Sequence, residues 1–188
     1  MKLQKSFLII VAFIFLTGFF GDDPTPEEQR KDIQEMRTDT LAKLYEYDPQ
    51  AESVVKNAAG YAVFSNFGMN LFLISTANGV GVAQDKATGK DTYMKMFSAG
   101  VGVGLGVKDF RGIFVFSTKQ SFEDFINKGW QAGGQADAAA KTEEEGGESL
   151  NHALDVGPGV KLYQITENGL ALQATIQGTK YSKDDELN

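Results

Sequence analysis

The sequence predicts a single α+β domain: a curved, glycine-rich, barrel-like antiparallel sheet with two N-terminal helices and a short helix near 119–128. Three observations predict this class. Two capped helical segments come first, between Thr25 and Gly60. Short apolar segments bounded by turn residues follow from Tyr61 onward, which is typical of antiparallel strands. The chain has 188 residues, 21 of them glycine, which suits one domain or one domain plus a short appendage.

Residues 1–21 have the pattern of a secretory signal peptide. Two lysines precede an apolar run from Phe7 to Phe20. This run is shorter than the ~20 residues that a comfortable membrane span needs. Residues 22–188 are therefore expected to form the folded domain. Cleavage near Gly18 or Gly21 and retention as an N-terminal anchor both stay open.

The end of this leader also bears on lipid anchoring. Leu16-Thr17-Gly18 is similar to the start of a bacterial lipoprotein box, but Phe19 stands where the lipidated cysteine would be. The sequence contains no cysteine, so a thioether anchor is excluded. We expect an exported protein that is periplasmic or associated with the cell envelope and is not lipid-anchored.

Composition narrows the function. The absence of cysteine excludes disulfides, thiolate metal sites and cysteine nucleophiles, and the single histidine, His152, excludes multi-histidine metal sites. The formal charge of −7 argues against nucleic-acid binding, which needs clustered lysine and arginine. The acidic run from Glu143 to Glu148 lacks the spaced oxygen ligands of a calcium loop. We expect no metal, no cofactor and no catalytic activity.

The helices are predicted from their ends. Thr25-Pro26-Glu27-Glu28 has the form of a capping box and predicts a helix that runs to about Tyr45. Asp48-Pro49 begins a second helix, which is expected to stop at Gly60. The short third helix is capped by Ser117 or Thr118 and ends at Gly129.

The strands follow from apolar segments between turn signals. Asn78-Gly79 is expected to be a turn, residues 85–91 close a hairpin, and residues 180–188 are expected to be a charged tail. The predicted strands cover residues 61–65, 70–75, 80–83, 92–97, 113–116, 160–165 and 170–176.

One segment alternates glycine with branched aliphatic residues, which predicts a strand with one bare face. The order G-x-G-x-G-x-G differs from a phosphate-binding loop, so a packing role is favoured over a nucleotide site. A ligand lying along the bare face stays open. The glycine face consists of Gly100, Gly102, Gly104 and Gly106.

Residues 85–119 are locally basic in an acidic chain, with six basic and three acidic residues. Such a segment is where an anionic partner would bind, although turn lysines are commonly just solvated. The candidate lipid contacts are Lys86, Lys90, Lys95, Lys108 and Arg111.

The ordered succession of motifs resembles the SYLF domain family over roughly Asp39 to Asn188. The matching residues are Ala58 to Phe64, Gly79 to Val82, the Gly100–Gly106 strand, Phe114 to Phe116 with Phe122 and Phe125, Gly133 to Ala138, Val156 to Gly159, and Asn168 to Gly178.

This resemblance implies an α+β fold around a curved antiparallel sheet, no recognised catalysis, and phospholipid or phosphoinositide binding. Some eukaryotic members bind actin, which we do not expect of an exported bacterial-type protein. Ser65 replaces the proline that is common in the family. The alternative is a structural or protein-interaction protein of the envelope without a lipid ligand. An outer-membrane barrel and an enzyme with paired carboxylates are weaker hypotheses.

Overall fold

The computed structural model describes residues 24–71, 74–101, 111–131, 153–166, 169–170 and 179–188. These residues form three helices and nine strands. The helices are α1 (Pro26–Tyr47), α2 (Pro49–Lys56) and α3 (Lys119–Lys128). The strands are β1 (Gly60–Leu71), β2 (Ile74–Asp85), β3 (Asp91–Val101), β4 (Arg111–Phe116), β5 (Trp130–Gln131), β6 (Ala153–Gly157), β7 (Val160–Thr166), β8 (Gly169–Leu170) and β9 (Thr179–Lys183).

All the strands belong to one antiparallel sheet. Their order is β5-β9-β3-β2-β1-β4-β7-β6, and β8 also pairs with β7. The long strands β1, β2 and β3 form a meander at its centre. The strand nearest the C-terminus, β9, returns to pair with β3 and carries β5 on its other side. The described sheet therefore has β5 at one edge, and β6 with β8 at the other.

The sheet curls strongly, so that strands distant in the strand order bring their side chains into contact. Three strand-to-strand steps separate β1 from β9, which would place them ~14 Å apart in a flat sheet. The ring centroids of Phe64 on β1 and Tyr181 on β9 nevertheless lie only 4.7 Å apart. The predicted fold class, an α+β domain with a curved antiparallel sheet, is confirmed.

The curl gives the sheet a concave and a convex face, because side chains alternate along each strand. Phe64, Met94 and Phe114 project from the concave face and pack with Phe122 and Phe125 of α3. On the convex face, α1 and α2 cover a second cluster, which includes Leu44, Val55, Val63, Ile113 and Tyr163. The helices thus cover opposite faces of one sheet.

The helix starts are confirmed in detail. Thr25 accepts a hydrogen bond from the Glu28 backbone N–H, and Glu28 reaches back to the Thr25 N–H at 2.8 Å. Asp48 caps α2, and Thr118 caps α3. The predicted stop of the second helix at Gly60 is wrong, because α2 ends at Lys56. Gly60 begins β1, and a Cβ there would lie 2.4–2.7 Å from the Phe122 ring, so its small size serves packing.

Two predictions for the region of β1 and β2 are wrong, one of a turn and one of a strand. Asn78-Gly79 is not a turn but lies within β2, where Asn78 pairs with Phe67 and Phe97 on the neighbouring strands. The predicted strand at 70–75 does not exist as a unit, since it spans the end of β1 and the start of β2. Pairing on both sides of β2 outweighs the local turn preference of Asn-Gly.

The predicted charged tail at 180–188 is also wrong in its first part. Thr179–Lys183 forms β9, which pairs with both β3 and β5. The strands β5 and β6 were not predicted either. Tyr181 of β9 is fully buried, so a segment that is mostly polar in sequence supplies a central residue of the core.

Several predictions fall outside the described residues. These are the leader at 1–21, Lys108, His152, the acidic run Glu143–Glu148, and most of the strand predicted at 170–176. Gly102, Gly104 and Gly106 of the glycine face lie outside as well. None of the described helices is both long and apolar enough to cross a membrane.

Candidate functional site

The convex face carries an exposed aromatic ring between two lysines. Phe97 on β3 is 51% exposed, the largest fraction among the large apolar side chains that stand out as exposed in the described chain. Lys180 on β9 is its direct cross-strand partner, and Lys95 lies two residues before it on β3. Both lysines are exposed. We call Lys95, Phe97 and Lys180 the outer patch.

The strand register explains why these three side chains share a face. Directly opposed residues of an antiparallel pair have Cα atoms about 5 Å apart, and residues i and i+2 project from the same side. The neighbours Met96 and Tyr181 therefore turn inward and are buried at 3% and 0% exposure. The same alternation that builds the core leaves Phe97 outside.

The structure separates the predicted lysines into two groups. Lys86 and Lys90 are exposed in the turn between β2 and β3. Lys95 lies in register with Val80 of β2, five residues from the Asp85 end of that strand. At about 3.4 Å per residue, the turn lysines are ~17 Å from Lys95 along the strands. They do not belong to the outer patch.

Arg111 is tied to a helix. It lies in the same row as Lys95 across β2 and β1, three strand steps or ~14 Å away. Its Nη1 donates to Thr40 Oγ1 at 3.0 Å, and Thr40 is fully buried beneath α1. Because its guanidinium group anchors α1, Arg111 contributes little to a surface patch.

The predicted glycine face is represented by Gly100 alone, which pairs with Ser75 inside the sheet. A second group of glycines lies on the concave face, beside Phe64. Gly81 and Gly112 flank Phe64 on the neighbouring strands, and both are buried. A Cβ at Gly81 would overlap the Phe64 ring, so bare backbone lets that ring lean across the sheet.

A cleft of about 670 Å³ opens near the two edges of the curled sheet, and we call it the seam cleft. Its walls are α3, Trp130 of β5 and the turn between β6 and β7. Its floor includes the apolar side chains Phe116, Phe125 and Val160. The volume is typical of small-molecule sites, which are mostly apolar with a few polar groups.

Two polar groups inside the curl lack partners in the described structure. They are Nε2 of Gln164, on β7, and Oη of Tyr181. Gln164 is 2% exposed and Tyr181 is 0% exposed. Burial raises the pKa of Tyr181, because the phenolate form would lose its hydration. Neither residue was predicted as functional.

Two carboxylates have a lowered pKa, and in both the cause is a neighbouring group. The side chain of Lys128 lowers the pKa of Asp124 through a hydrogen bond and an ion pair of 2.7 Å. Backbone N–H groups, that of Thr88 first, lower the pKa of Asp85 in the β2–β3 turn. Among the described residues, no cluster of three or more acidic or histidine side chains could hold a metal ion.

Comparison with known proteins finds similarity over most of the chain. No family model matches the chain. The chain is 38% identical over 163 residues to beta cell expansion factor A of Aeromonas veronii. The match covers 87% of this chain and 60% of that protein, so this chain spans about three fifths of its relative's length.

The sequence contained part of the signal for the outer patch. Lys95 was a candidate contact, and Phe97 stood in a predicted strand at an odd position together with Tyr93 and Lys95. Alternate residues of a strand project from the same side, so the sequence predicts that these three side chains share one face of the sheet. Lys180 was missed because its segment was expected to be a tail.

Proposed function

We propose that this chain is a non-catalytic lipid-binding module of the cell envelope that attaches to anionic membrane surfaces through the outer patch. The observation that carries the proposal is the 51% exposure of Phe97 between Lys95 and Lys180. An aromatic ring among lipid headgroups leaves water, while lysines beside it remain in contact with phosphates. Each lysine near an anionic surface contributes about 1 kcal/mol.

Charge distribution supports a single orientation. The whole chain has a formal charge of −7, so its net charge repels an anionic membrane. The lysines of the outer patch have no ion-pair partner among the described residues. The resemblance to the SYLF family and the predicted export signal favour a lipid surface as the partner.

Vesicle co-sedimentation tests the proposal. The mature protein is mixed with vesicles of phosphatidylcholine alone, or with vesicles that also contain about one third phosphatidylglycerol. We expect binding to the anionic vesicles, and weaker binding at high salt. Lys95→Ala and Phe97→Ser should each reduce the partition coefficient about fivefold, equivalent to about 1 kcal/mol.

The turn lysines provide the matched control. A Lys86→Ala/Lys90→Ala double variant removes two exposed positive charges from the other end of β3 and should change binding much less. An equal loss in this variant would contradict the outer patch. Equal absence of binding to both vesicle types would overturn lipid binding and favour the alternative, an envelope protein that binds only other proteins.

A further inference from the structure

The outer patch belongs to a larger block of side chains on the convex face. Two cross-strand rows of β2, β3 and β9 make up this block. One row is Asn78, Phe97 and Lys180, and the next row is Val80, Lys95 and Ser182. Direct partners within a row are about 5 Å apart, and the two rows are about 7 Å apart along the strands. Polar side chains from both rows therefore border the exposed ring of Phe97.

Every polar side chain of this block can donate a hydrogen bond. Lys95 and Lys180 carry ammonium groups, Ser182 carries a hydroxyl group and Asn78 carries an amide NH₂ group. These groups have no hydrogen-bond or ion-pair partner among the described residues. Asn78 is exposed and Ser182 is half-buried. The block thus offers four unpaired donors to a ligand that brings acceptors.

The other charged residues of β9 and its end are engaged elsewhere. The carboxylate of Asp184, just after β9, accepts the Glu186 N–H at 3.1 Å. Lys183 turns to the opposite side, where its Nζ donates to Asn127 Oδ1 of α3 at 2.9 Å. Within β3 and β9, the positive charge of the convex face is therefore confined to Lys95 and Lys180.

These two lysines are placed to hold a single anion. They are diagonal neighbours, because Lys95 pairs with Ser182 while Phe97 pairs with Lys180. Diagonal neighbours of an antiparallel pair are about 7–8 Å apart. Each ammonium group sits on a flexible four-carbon stem, so both can reach one anion between them. The Ser182 hydroxyl borders that position, since Ser182 lies directly beside Lys95.

The charge of this pair selects among phosphate groups. A phosphate diester carries one negative charge, whereas a monoester carries about −1.5 to −2 at pH 7 and has three terminal acceptor oxygens. Two ammonium groups balance the charge of the monoester and favour its fully ionised form. The third oxygen is free to accept a hydrogen bond from Ser182. A diester would leave one of the two positive charges unbalanced.

We propose that the outer patch binds the phosphate monoester headgroup of a membrane lipid, with the phosphate between Lys95 and Lys180 and hydrogen-bonded by Ser182. The ring of Phe97 enters the membrane interface beside this headgroup. This inference rests on the proposed function, because the phosphate belongs to the same membrane surface. It adds the class of headgroup and a further contact residue, Ser182.

Vesicle co-sedimentation at matched charge tests the preference. The mature protein is mixed with phosphatidylcholine vesicles that contain phosphatidic acid, a monoester, or phosphatidylglycerol, a diester. The two compositions are adjusted to the same zeta potential. We expect about fivefold tighter binding to phosphatidic acid, the effect of one additional hydrogen bond. Equal binding to both vesicle types would overturn the inference.

Ser182→Ala tests the position of the phosphate. This variant should weaken binding to phosphatidic acid about fivefold and change binding to phosphatidylglycerol much less. Asn78→Ala is the matched control, because Asn78 is also a neutral donor next to Phe97 but lies on the side of that ring away from Lys180. The control should keep the preference of the wild type. Equal losses in the two variants would contradict the assigned position.

Free phosphate distinguishes a lipid headgroup from a soluble anion. Phe97 leaves water only when the phosphate belongs to a membrane, so millimolar inorganic phosphate at constant ionic strength should not displace the protein from phosphatidic acid vesicles. Displacement would assign the site to a soluble phosphate and overturn the lipid headgroup.

The same vesicle measurements separate this inference from the proposed function. Binding to both anionic vesicle types without preference overturns only the headgroup class and leaves the membrane surface as the partner. Absence of binding to both types overturns the proposed function, and the headgroup class with it.

Discussion

The rings of Phe114 and Tyr181 lie 5.0 Å apart at an angle of 76°, although four strand steps separate β4 from β9. In a flat sheet those strands would be ~19 Å apart. Edge-to-face contacts of this kind contribute about 0.5–1.5 kcal/mol beyond the apolar area that they bury. The curl of the sheet is therefore held by aromatic contacts across its interior, where α3 adds Phe125 to the same cluster.

Gly81→Ala should destabilise the protein, because the new methyl group would meet the Phe64 ring and lie 2.5 Å from the carbonyl oxygen of Val63. Overpacking of this kind typically costs about 1–3 kcal/mol. The free energy of unfolding in urea measures the effect. Gly157→Ala is the control, since a Cβ there has no neighbour within 4 Å. Equal losses at both positions would contradict the close approach of Phe64.

Asp91→Ala should loosen α1. The Asp91 carboxylate accepts hydrogen bonds from Gln34 at 2.9 Å, Arg37 at 2.9 Å and Gln84 at 3.0 Å. Two of these donors are on α1, and the side chain of Arg37 is only 18% exposed. Loss of the carboxylate should cost about 2–3 kcal/mol, because hydrogen bonds to charged groups are strong and Arg37 would lose its counter-charge.

Hydrogen exchange of the α1 amides, together with urea unfolding, measures the Asp91 effect. Glu35→Ala is the control, because its pair with Lys31 is exposed and such pairs contribute little. Faster exchange in α1 is expected only for Asp91→Ala. Unchanged α1 exchange would mean that apolar packing alone holds the helix on the sheet.

Leu187→Ala should loosen the same helix one turn closer to its N-terminus. Leu187 is 2% exposed and packs with Ile33 of α1 and Val82 of β2. Its carbonyl oxygen accepts a hydrogen bond from Arg30 Nε at 2.9 Å. Truncating a buried leucine typically costs about 2–5 kcal/mol. Glu186→Ala, at an exposed neighbour, should change the melting temperature little, and an equal shift in both variants would refute the anchoring role.

The protein should lose stability above pH 10. Burial raises the pKa of Tyr45 to about 12, and burial also raises those of Tyr61, Tyr163 and Tyr181. Unfolded tyrosine titrates near pH 10, so between about pH 10 and the folded pKa the unfolded chain binds fewer protons. Stability therefore falls as pH rises, by up to about 1.4 kcal/mol per pH unit for a fully buried tyrosine.

Thermal unfolding from pH 8 to pH 11 measures this dependence. Tyr181→Phe should lose less stability than the wild type above pH 10, because it lacks one buried titrating group. Tyr47→Phe is the control, since Tyr47 is 47% exposed. Parallel curves for the wild type and Tyr181→Phe would contradict the effect of burial.

Local signals in the sequence predicted the helices well. Thr25, Asp48 and Thr118 accept backbone hydrogen bonds at helix starts, and this chemistry depends on residues no more than three positions away. The predicted end of α2 was wrong, because glycine at position 60 leaves room for the ring of Phe122, which is distant in sequence, and does not form a left-handed turn.

The outer patch was only partly predictable. The basic segment 85–119 was visible in the sequence, and it contained Lys95. Which lysines lie near an exposed aromatic side chain depends on the pairing of β3 with β9. Residues 97 and 180 are distant in sequence, and nothing in the local composition around Lys180 indicated a strand.

The sequence by itself determined the α+β class, the helix caps and the apolar periodicity that divides buried from exposed positions. Tertiary structure decided the order of the strands, the curl, and which polar residues it encloses. Strand pairing and closure depend on contacts between distant segments, as Phe114 and Tyr181 illustrate. Backbone hydrogen bonds on both sides of β2 therefore outweigh the turn preference of Asn78-Gly79. Pairing with β3 and β5 likewise places the mostly polar segment Thr179–Lys183 inside the sheet.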